Sequence, residues 1–383
     1  MMNKRELELY IHIPFCARKC DYCDFLSFAA PESIYREYTE KLMEEICYQS
    51  VSYKEYEIVS IFIGGGTPSV LPYGYLETVM AVVREHYSVS PEAEITVEVN
   101  PGMITAEKLE SYRRGGINRI SLGLQSADNN ELKALGRIHS FEDFLRSFQL
   151  VRQAGFGNIN IDLMSAIPGQ TAESWKNTLR KVVMLRPEHI SAYSLIVEEG
   201  TPFYERYGED GKGLPDEETD REMYHFTKAY LAEKGYARYE ISNYARPGYA
   251  CRHNIGYWTG REYLGVGLGA SSYIEETRFH NTVDLSDYLS LDMLQGMKGY
   301  IIDEQLDEQD QMEEFMILGL RLTKGVSGDD FLQKFGQNMG DVFSHVLPEL
   351  LKEGLLEMDA PDIKLTEFGL DVSNQVFGRL FSL

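Results

Sequence analysis

The chain has 383 residues, and its 37 Lys and Arg against 60 Asp and Glu give a formal charge of −23, which repels phosphate backbones and excludes nucleic acid as a general partner. Hydrophobic content of 43% and charged content of 25% describe an ordinary globular composition, with room for one large domain and one or two smaller ones. No apolar run reaches membrane-spanning length and no signal-peptide pattern opens the chain; the five cysteines, three within eight positions, argue against a disulfide framework. The expectation is a cytoplasmic protein without a transmembrane segment.

In chain order, the apolar run Leu7–Ile13 reads as the first strand. It leads into Cys16, Cys20 and Cys23, spaced C-x3-C-x2-C. Thiolates this close on one loop wrap a single metal centre. Structural zinc wants four protein ligands and an ordinary [4Fe–4S] cluster takes four thiolates, so three cysteines leave one iron open to a reacting ligand. Two other readings stay open on the residues alone: a zinc site completed by His12, and three free thiols.

From Leu7 to Ile196 the pattern alternates. Strand-like runs occur at Leu9–Ile13, Ile58–Ile63, Ile95–Val99, Ile117–Leu124, Ile159–Met164 and His189–Ile196. Helical patterns lie between them at Ile34–Tyr48, Tyr75–Glu85, Ala106–Arg114, Phe141–Ala154 and Ala172–Met184. Six such units predict a parallel sheet with crossover helices. Six strands fall short of a closed eight-stranded barrel, so the expected fold is α/β, a partial (β/α)6 barrel with its site at the carboxyl ends of the strands.

Candidate site residues fall at those ends. Gly64-Gly65-Gly66-Thr67-Pro68 follows the second strand, where glycines let backbone N–H groups approach a ligand; a tight turn is the plainer alternative. Glu98 alternates with Val97 and Val99 and so points to the opposite face, a costly place for a carboxylate without a partner or ligand. Gln125, Arg137 and Asp162 stand at or just past later strands. Each alone fits a satisfied polar group, but four polar residues at successive strand ends or following loops favour a converging ligand site.

Beyond Thr201-Pro202 the rhythm stops. Tyr204–Pro215 reads as a loop, a helix is expected over Thr219–Lys234, and then comes Cys251-Arg252-His253-Asn254-Ile255-Gly256-Tyr257-Trp258. An imidazole beside phenol and indole rings offers an iron ligand and flat apolar faces, which suits a porphyrin; a hydrogen-bonded histidine in an aromatic core is the alternative. Gly265-Val266-Gly267-Leu268-Gly269-Ala270 reads as close backbone packing rather than a dinucleotide site. The end of the chain is expected to hold helices at Asp310–Leu322, Gly328–Phe335 and Gly340–Glu353, short strands around Leu355–Leu365 and a last helix, a winged-helix-like module without a basic cluster. The expected division is 1–203 barrel, 204–308 connecting region and 309–383 C-terminal module.

The cysteine loop with its Tyr10-Ile11-His12-Ile13-Pro14-Phe15-Cys16 lead, the Gly-Gly-Gly-Thr-Pro turn, the Ile167-Pro168-Gly169 after Asp162 and the His-Asn-x-x-Tyr-Trp run resemble the radical S-adenosylmethionine (SAM) family of oxygen-independent coproporphyrinogen III oxidases and their haem-chaperone relatives, over nearly the whole chain. That resemblance implies a [4Fe–4S] cluster on Cys16, Cys20 and Cys23, with SAM on its open iron and contacted by Tyr10, Gly66, Thr67, Glu98, Gln125, Arg137 and Asp162. Reductive cleavage of SAM to a 5′-deoxyadenosyl radical is the chemistry it implies. It also implies haem as cargo, with His253 as its candidate ligand and Cys251 as a thiolate alternative, and haemoproteins as acceptors. Two departures favour the chaperone over the oxidase: Phe25 stands where the oxidases have a fourth cysteine, and nine residues precede Tyr10 where they have a long extension.

Overall fold

A computed structural model describes residues 4–208, 211–293, 296 and 299–381. Six parallel strands form its centre: β1 (Arg5–Ile13), β2 (Tyr56–Gly65), β3 (Ser88–Val99), β4 (Arg119–Gln125), β5 (Ile159–Ser165) and β6 (His189–Ser194), hydrogen-bonded in that order. The crossovers carry α1 (Glu32–Ser50), α2 (Tyr75–His86), α3 (Ala106–Arg114), α4 (Asn129–Ala134), α5 (Phe141–Gln153) and α6 (Ala172–Met184). All six expected strands and all five expected helices are present; the short α4 was not foreseen. Local chemistry marks the starts: Ser140 with Asp143 and Thr171 with Ser174 form capping boxes on α5 and α6, each cap contributing about 1 kcal/mol.

Alternation along each strand separates two faces. Leu7, Leu9, Ile11 and Ile13 of β1, Ile61 and Ile63 of β2, Ile95, Val97 and Val99 of β3 and Ile120, Leu122 and Leu124 of β4 join one buried apolar cluster that also holds residues of the crossover helices. The opposite, concave face is polar: Glu8, Tyr10 and His12; Ser60; Glu94, Thr96 and Glu98; Arg119 and Ser121; Asn160 and Asp162; His189 and Ser191. A half-barrel with a polar lumen needs something to fill it.

The region after β6 does two jobs. Past α7 (Pro202–Tyr207) and α8 (Glu217–Glu233), β7 (Ala237–Arg238) and β8 (Asn243–Ala245) pair antiparallel beyond β6. At the other edge β9 (Tyr263–Val266) pairs parallel with β1, and β10 (Ser271–Ile274), β11 (Thr277–Asn281) and β12 (Tyr300–Gln305) continue antiparallel, giving one twelve-stranded sheet. Residues 204–308 therefore extend the first region's sheet. Between the two edges, α9 (Arg252–Trp258) lies against the concave face: the Arg252 backbone N–H donates to Glu94 Oε1 at 2.9 Å, and the Cys251 thiol donates to the same oxygen at 3.4 Å. Close packing in the glycine run is as expected, since a Cβ on Gly267 would meet the His12 carbonyl oxygen at 2.7 Å.

After α10 (Leu285–Ser290), α11 (Glu308–Gly319) and α12 (Gly328–Phe335) open a C-terminal unit with its own apolar core, including Met316, Phe331, Phe343 and Leu350. The helix expected over Gly340–Glu353 is broken into Met339–Val342 and Leu347–Lys352, with Pro348 in the first turn of the second piece, where its missing N–H does least harm. A two-stranded antiparallel ladder, Leu356–Asp359 with Asp362–Leu365, and helices Glu367–Asp371 and Ser373–Leu380 complete it. Within the expected loop Tyr204–Pro215, residues 204–207 are the end of α7, and 209–210 lie outside the described residues, as do the last two of the chain.

Candidate functional site

The loop after β1 and the turn after β2 are locked together by backbone hydrogen bonds. Gly66 N–H donates to the Ile13 carbonyl at 2.8 Å and Thr67 N–H to the Phe15 carbonyl at 2.7 Å. A Cβ on Gly66 would sit 2.7 Å from the Phe15 oxygen, and Gly65 has φ +104° with the His12 ring where a Cβ would be. The glycine turn thus anchors the cysteine loop through close approach. Its Gly66 N–H is already engaged.

Cys16, Cys20 and Cys23 line a cavity of about 280 Å³ at the carboxyl ends of the strands, with Gly65, Gly66, Thr67, Glu98, Gln125, Arg137 and Asp162. Nine of the ten residues expected to hold the cluster and SAM meet there. Arg137 reaches across it: one guanidinium nitrogen donates to the Gly123 carbonyl at 2.7 Å and to Asn100 Oδ1 at 2.8 Å, while the other lies 3.5 Å from Cys20 Sγ. Cys16 Sγ is 3.4 Å from Thr67 Oγ1, and Asn100 Nδ2 donates to that hydroxyl at 2.8 Å. Gln125 holds φ +70°, a left-handed conformation rare for a side chain of its size, and accepts from the Tyr193 hydroxyl at 3.0 Å.

Two carboxylates share the cavity. Glu98 Oε2 accepts the Gly65 N–H at 3.2 Å; burial, reinforced by the Asp162 charge, pushes its pKa up to about 8. Asp162 accepts from Ser121 at 2.9 Å and from Asn160 at 2.7 Å, and burial also raises its pKa. Two acids so placed are relieved by a cationic ligand with hydroxyls to donate. SAM, with its ammonium, sulfonium and ribose groups, has that chemistry.

All five cysteines are free, and three of them share one loop that lines the cavity, the sulfur donors that iron–sulfur clusters take. Among the described residues no group of three or more His, Cys, Asp or Glu side chains stands in metal-holding geometry, so it is the donor chemistry that fits iron and sulfur. His12 does not complete a zinc site, because Tyr10 Oη lies 3.0 Å from its Nδ1 and the Leu26 carbonyl 2.9 Å from its Nε2.

Tyr10 and His253 lie elsewhere, as does Cys251. Tyr10 is absent from the cavity wall, its hydroxyl engaged by His12. His253 departs furthest from expectation. It is 1% exposed within the lumen; Ser60 Oγ lies 2.8 Å from its Nδ1 and Tyr257 Oη 3.0 Å from its Nε2, and Phe62 stacks on its ring. Both nitrogens are occupied, and burial with the nearby Arg119 and Arg261 charges lowers its pKa to about 3. Haem ligation at His253 would require two buried hydrogen bonds to break. Conversely, Asn100, Ser121 and Tyr193 line the cavity without having been singled out, and buried Arg119 faces the lumen beneath it.

Residues 10–182 match the Radical SAM superfamily and residues 306–372 the HemN C-terminal domain. Heme chaperone HemW of Bacillus subtilis is 36% identical over 96% of this chain and 97% of its own, and heme chaperone HemW of Escherichia coli is 34% identical over 96% of each. The solved structure of coproporphyrinogen III oxidase (HemN) from Escherichia coli, a radical SAM enzyme, superposes with a TM-score of 0.87 at 25% identity, covering 98% of this chain and 90% of that one. By these end-to-end likenesses the chain belongs to the HemW family of radical SAM proteins.

Proposed function

We propose that this protein is a haem chaperone, binding haem and handing it to acceptor haemoproteins, with a [4Fe–4S] cluster on Cys16, Cys20 and Cys23 and SAM in the adjoining cavity. The observation that carries the reading is near full-length similarity to heme chaperones. Phe25, 68% exposed beside the cysteines, agrees with it, because the resemblance puts a fourth cysteine there in the oxidases. Glu98 and Asp162 accept hydrogen bonds from a bound ligand, Arg137 and Gln125 offer donors, and Thr67 with Asn100 braces the cysteine side. Together, cluster and SAM would supply one-electron cleavage of a carbon–sulfur bond. Five unpaired cysteines support a reducing compartment, and we place the protein in the cytoplasm. Residues 309–383, read as a winged-helix-like module, serve as a lid or partner surface.

The second reading, an oxygen-independent coproporphyrinogen III oxidase, is favoured by the likeness to HemN. One experiment separates them. Anaerobically reconstituted, reduced protein is incubated with SAM and coproporphyrinogen III, and in parallel loaded with haem and mixed with an apo-haemoprotein. Haem transfer without protoporphyrinogen IX or carbon dioxide is expected. Decarboxylation would reverse the assignment.

A further inference from the structure

Behind Asp162, beneath the cavity, runs a line of buried polar groups that the SAM reading does not use. Asn160 Nδ2 is 2.7 Å from Asp162 Oδ1 and 2.7 Å from Ser121 Oγ, and Ser121 donates to Asp162 Oδ2 at 2.9 Å. On its other side Asn160 Oδ1 faces His189 Nδ1 at 2.7 Å and the Ser191 hydroxyl at 3.2 Å. His189 Nε2 faces the Tyr239 hydroxyl at 2.8 Å, and that hydroxyl takes the Cys251 backbone N–H at 3.3 Å.

The directions of these bonds are set by elimination. The Asn160 amide group must face the Asp162 carboxylate, because the flipped form would set carbonyl oxygen against carboxylate oxygen. Asn160 Oδ1 therefore accepts, and His189 Nδ1 must carry the proton. A neutral imidazole then has an unprotonated Nε2, which accepts from Tyr239. His189 and Asn160 are 0% and 2% exposed, so no solvent substitutes for a missing partner.

We propose that His189 and Asn160 are positioning residues for Asp162, the end of a relay that runs from the start of α9 through Tyr239 to the carboxylate in the cavity. The proposal rests on the reading of Asp162 as a SAM contact. Ser121 and Asn160 each occupy one carboxylate oxygen from below, which fixes the plane of the group and leaves its remaining lone pairs for the ligand. The His-Asn-x-x-Tyr-Trp helix is thereby coupled to the SAM cavity without touching it.

The test is calorimetric titration of SAM into cluster-reconstituted protein, with iron content, melting temperature and the SAM-induced change in the cluster's electron paramagnetic resonance recorded for each variant. Asp162→Ala and His189→Leu are each expected to weaken SAM binding about tenfold, the scale of losing an orienting partner, with iron retained. His189→Gln, whose amide can donate to Asn160 and accept from Tyr239, is expected to recover affinity to within about threefold of wild type. Wild-type affinity in His189→Leu alongside weakened Asp162→Ala overturns the relay and leaves the SAM pocket standing. Unchanged affinity in Asp162→Ala removes both. Equal losses in His189→Leu and His189→Gln reduce His189 to a filler of space. If His189→Leu does not fold, Tyr239→Phe, which deletes one hydroxyl, decides: an unchanged affinity there overturns the proposal.

Discussion

The mouth and the floor of the lumen carry the same kinds of side chain and use them in opposite ways. At the mouth stand three thiols and two carboxylates; at the floor stand Cys251, Glu94, Glu8 and His253. The floor groups are turned on one another. Cys251 and the Arg252 N–H both satisfy Glu94, Arg261 satisfies one oxygen of Glu8 at 3.1 Å, and His253 has a partner at each nitrogen. The mouth groups keep unused acceptor capacity aimed into a cavity. What makes a thiol or an acid available is unspent bonding capacity with access, and residue type alone does not reveal it.

The sharpest way to break this contrast is to remove one cysteine from each end. Cys20→Ala is expected to abolish the reconstituted cluster, seen as loss of iron and of its visible absorbance. Cys251→Ala should retain full iron at a stability penalty of about 1 kcal/mol. The Cys251 thiol, pushed up to about 12 by burial, should also resist alkylation in the native apoprotein. Iron loss in Cys251→Ala would put the metal site at the floor.

A smaller effect is expected at Glu98. Its carboxyl releases its proton at an ordinary acidic pH when unfolded but only near 8 when folded, so the native state binds more protons in between. By linkage, stability falls as pH rises from about 4.5 to about 8. Glu98→Gln should flatten that decline and raise the apoprotein's melting temperature at pH 9, while weakening SAM binding about 10- to 100-fold with iron retained. Gained stability together with undiminished SAM affinity would make Glu98 a lumen residue only.

The contrast also explains which parts of the chain were legible. Central strands announced themselves through β-branched runs, and Glu98 betrayed its direction by alternating with valines. The added edge strands did not: β7 has two residues and β8 three, too short to show a period. Arg119 opens a strand and Asn160 interrupts one, which in sequence looks like solvent exposure, yet both face a buried lumen. The surroundings of His253 were hidden for a related reason. Its neighbours in sequence were visible, but Ser60 lies 193 positions away, and no local pattern reports that. Asn100, one residue past the expected third strand, gave no sign in sequence of being the brace between Thr67 and Arg137.

The finest test of the floor is its response to acid. His253 titrates near 6.5 when unfolded and near 3 in the folded lumen, where burial and the Arg119 and Arg261 charges oppose a proton. Glu8 Oε2 is 3.7 Å away but does not rescue the charge, since burial pushes that carboxyl up to about 8 and leaves it protonated at the same pH. The unfolded chain therefore binds the extra proton, and His253 contributes stability that is complete above about 6.5 and drains away as pH falls toward 3. His253→Gln keeps an amide for Ser60 and Tyr257 but cannot titrate. Between pH 6 and 4, proton uptake on unfolding should drop by about one in this variant, and the fall in melting temperature should become shallower, with cluster content unchanged. His189, also held well below 6.5, leaves a residual slope. Haemin titration completes the comparison: His253→Gln should keep the wild-type Soret maximum, whereas a shifted band would show that haem opens the floor and takes His253 from Ser60 and Tyr257.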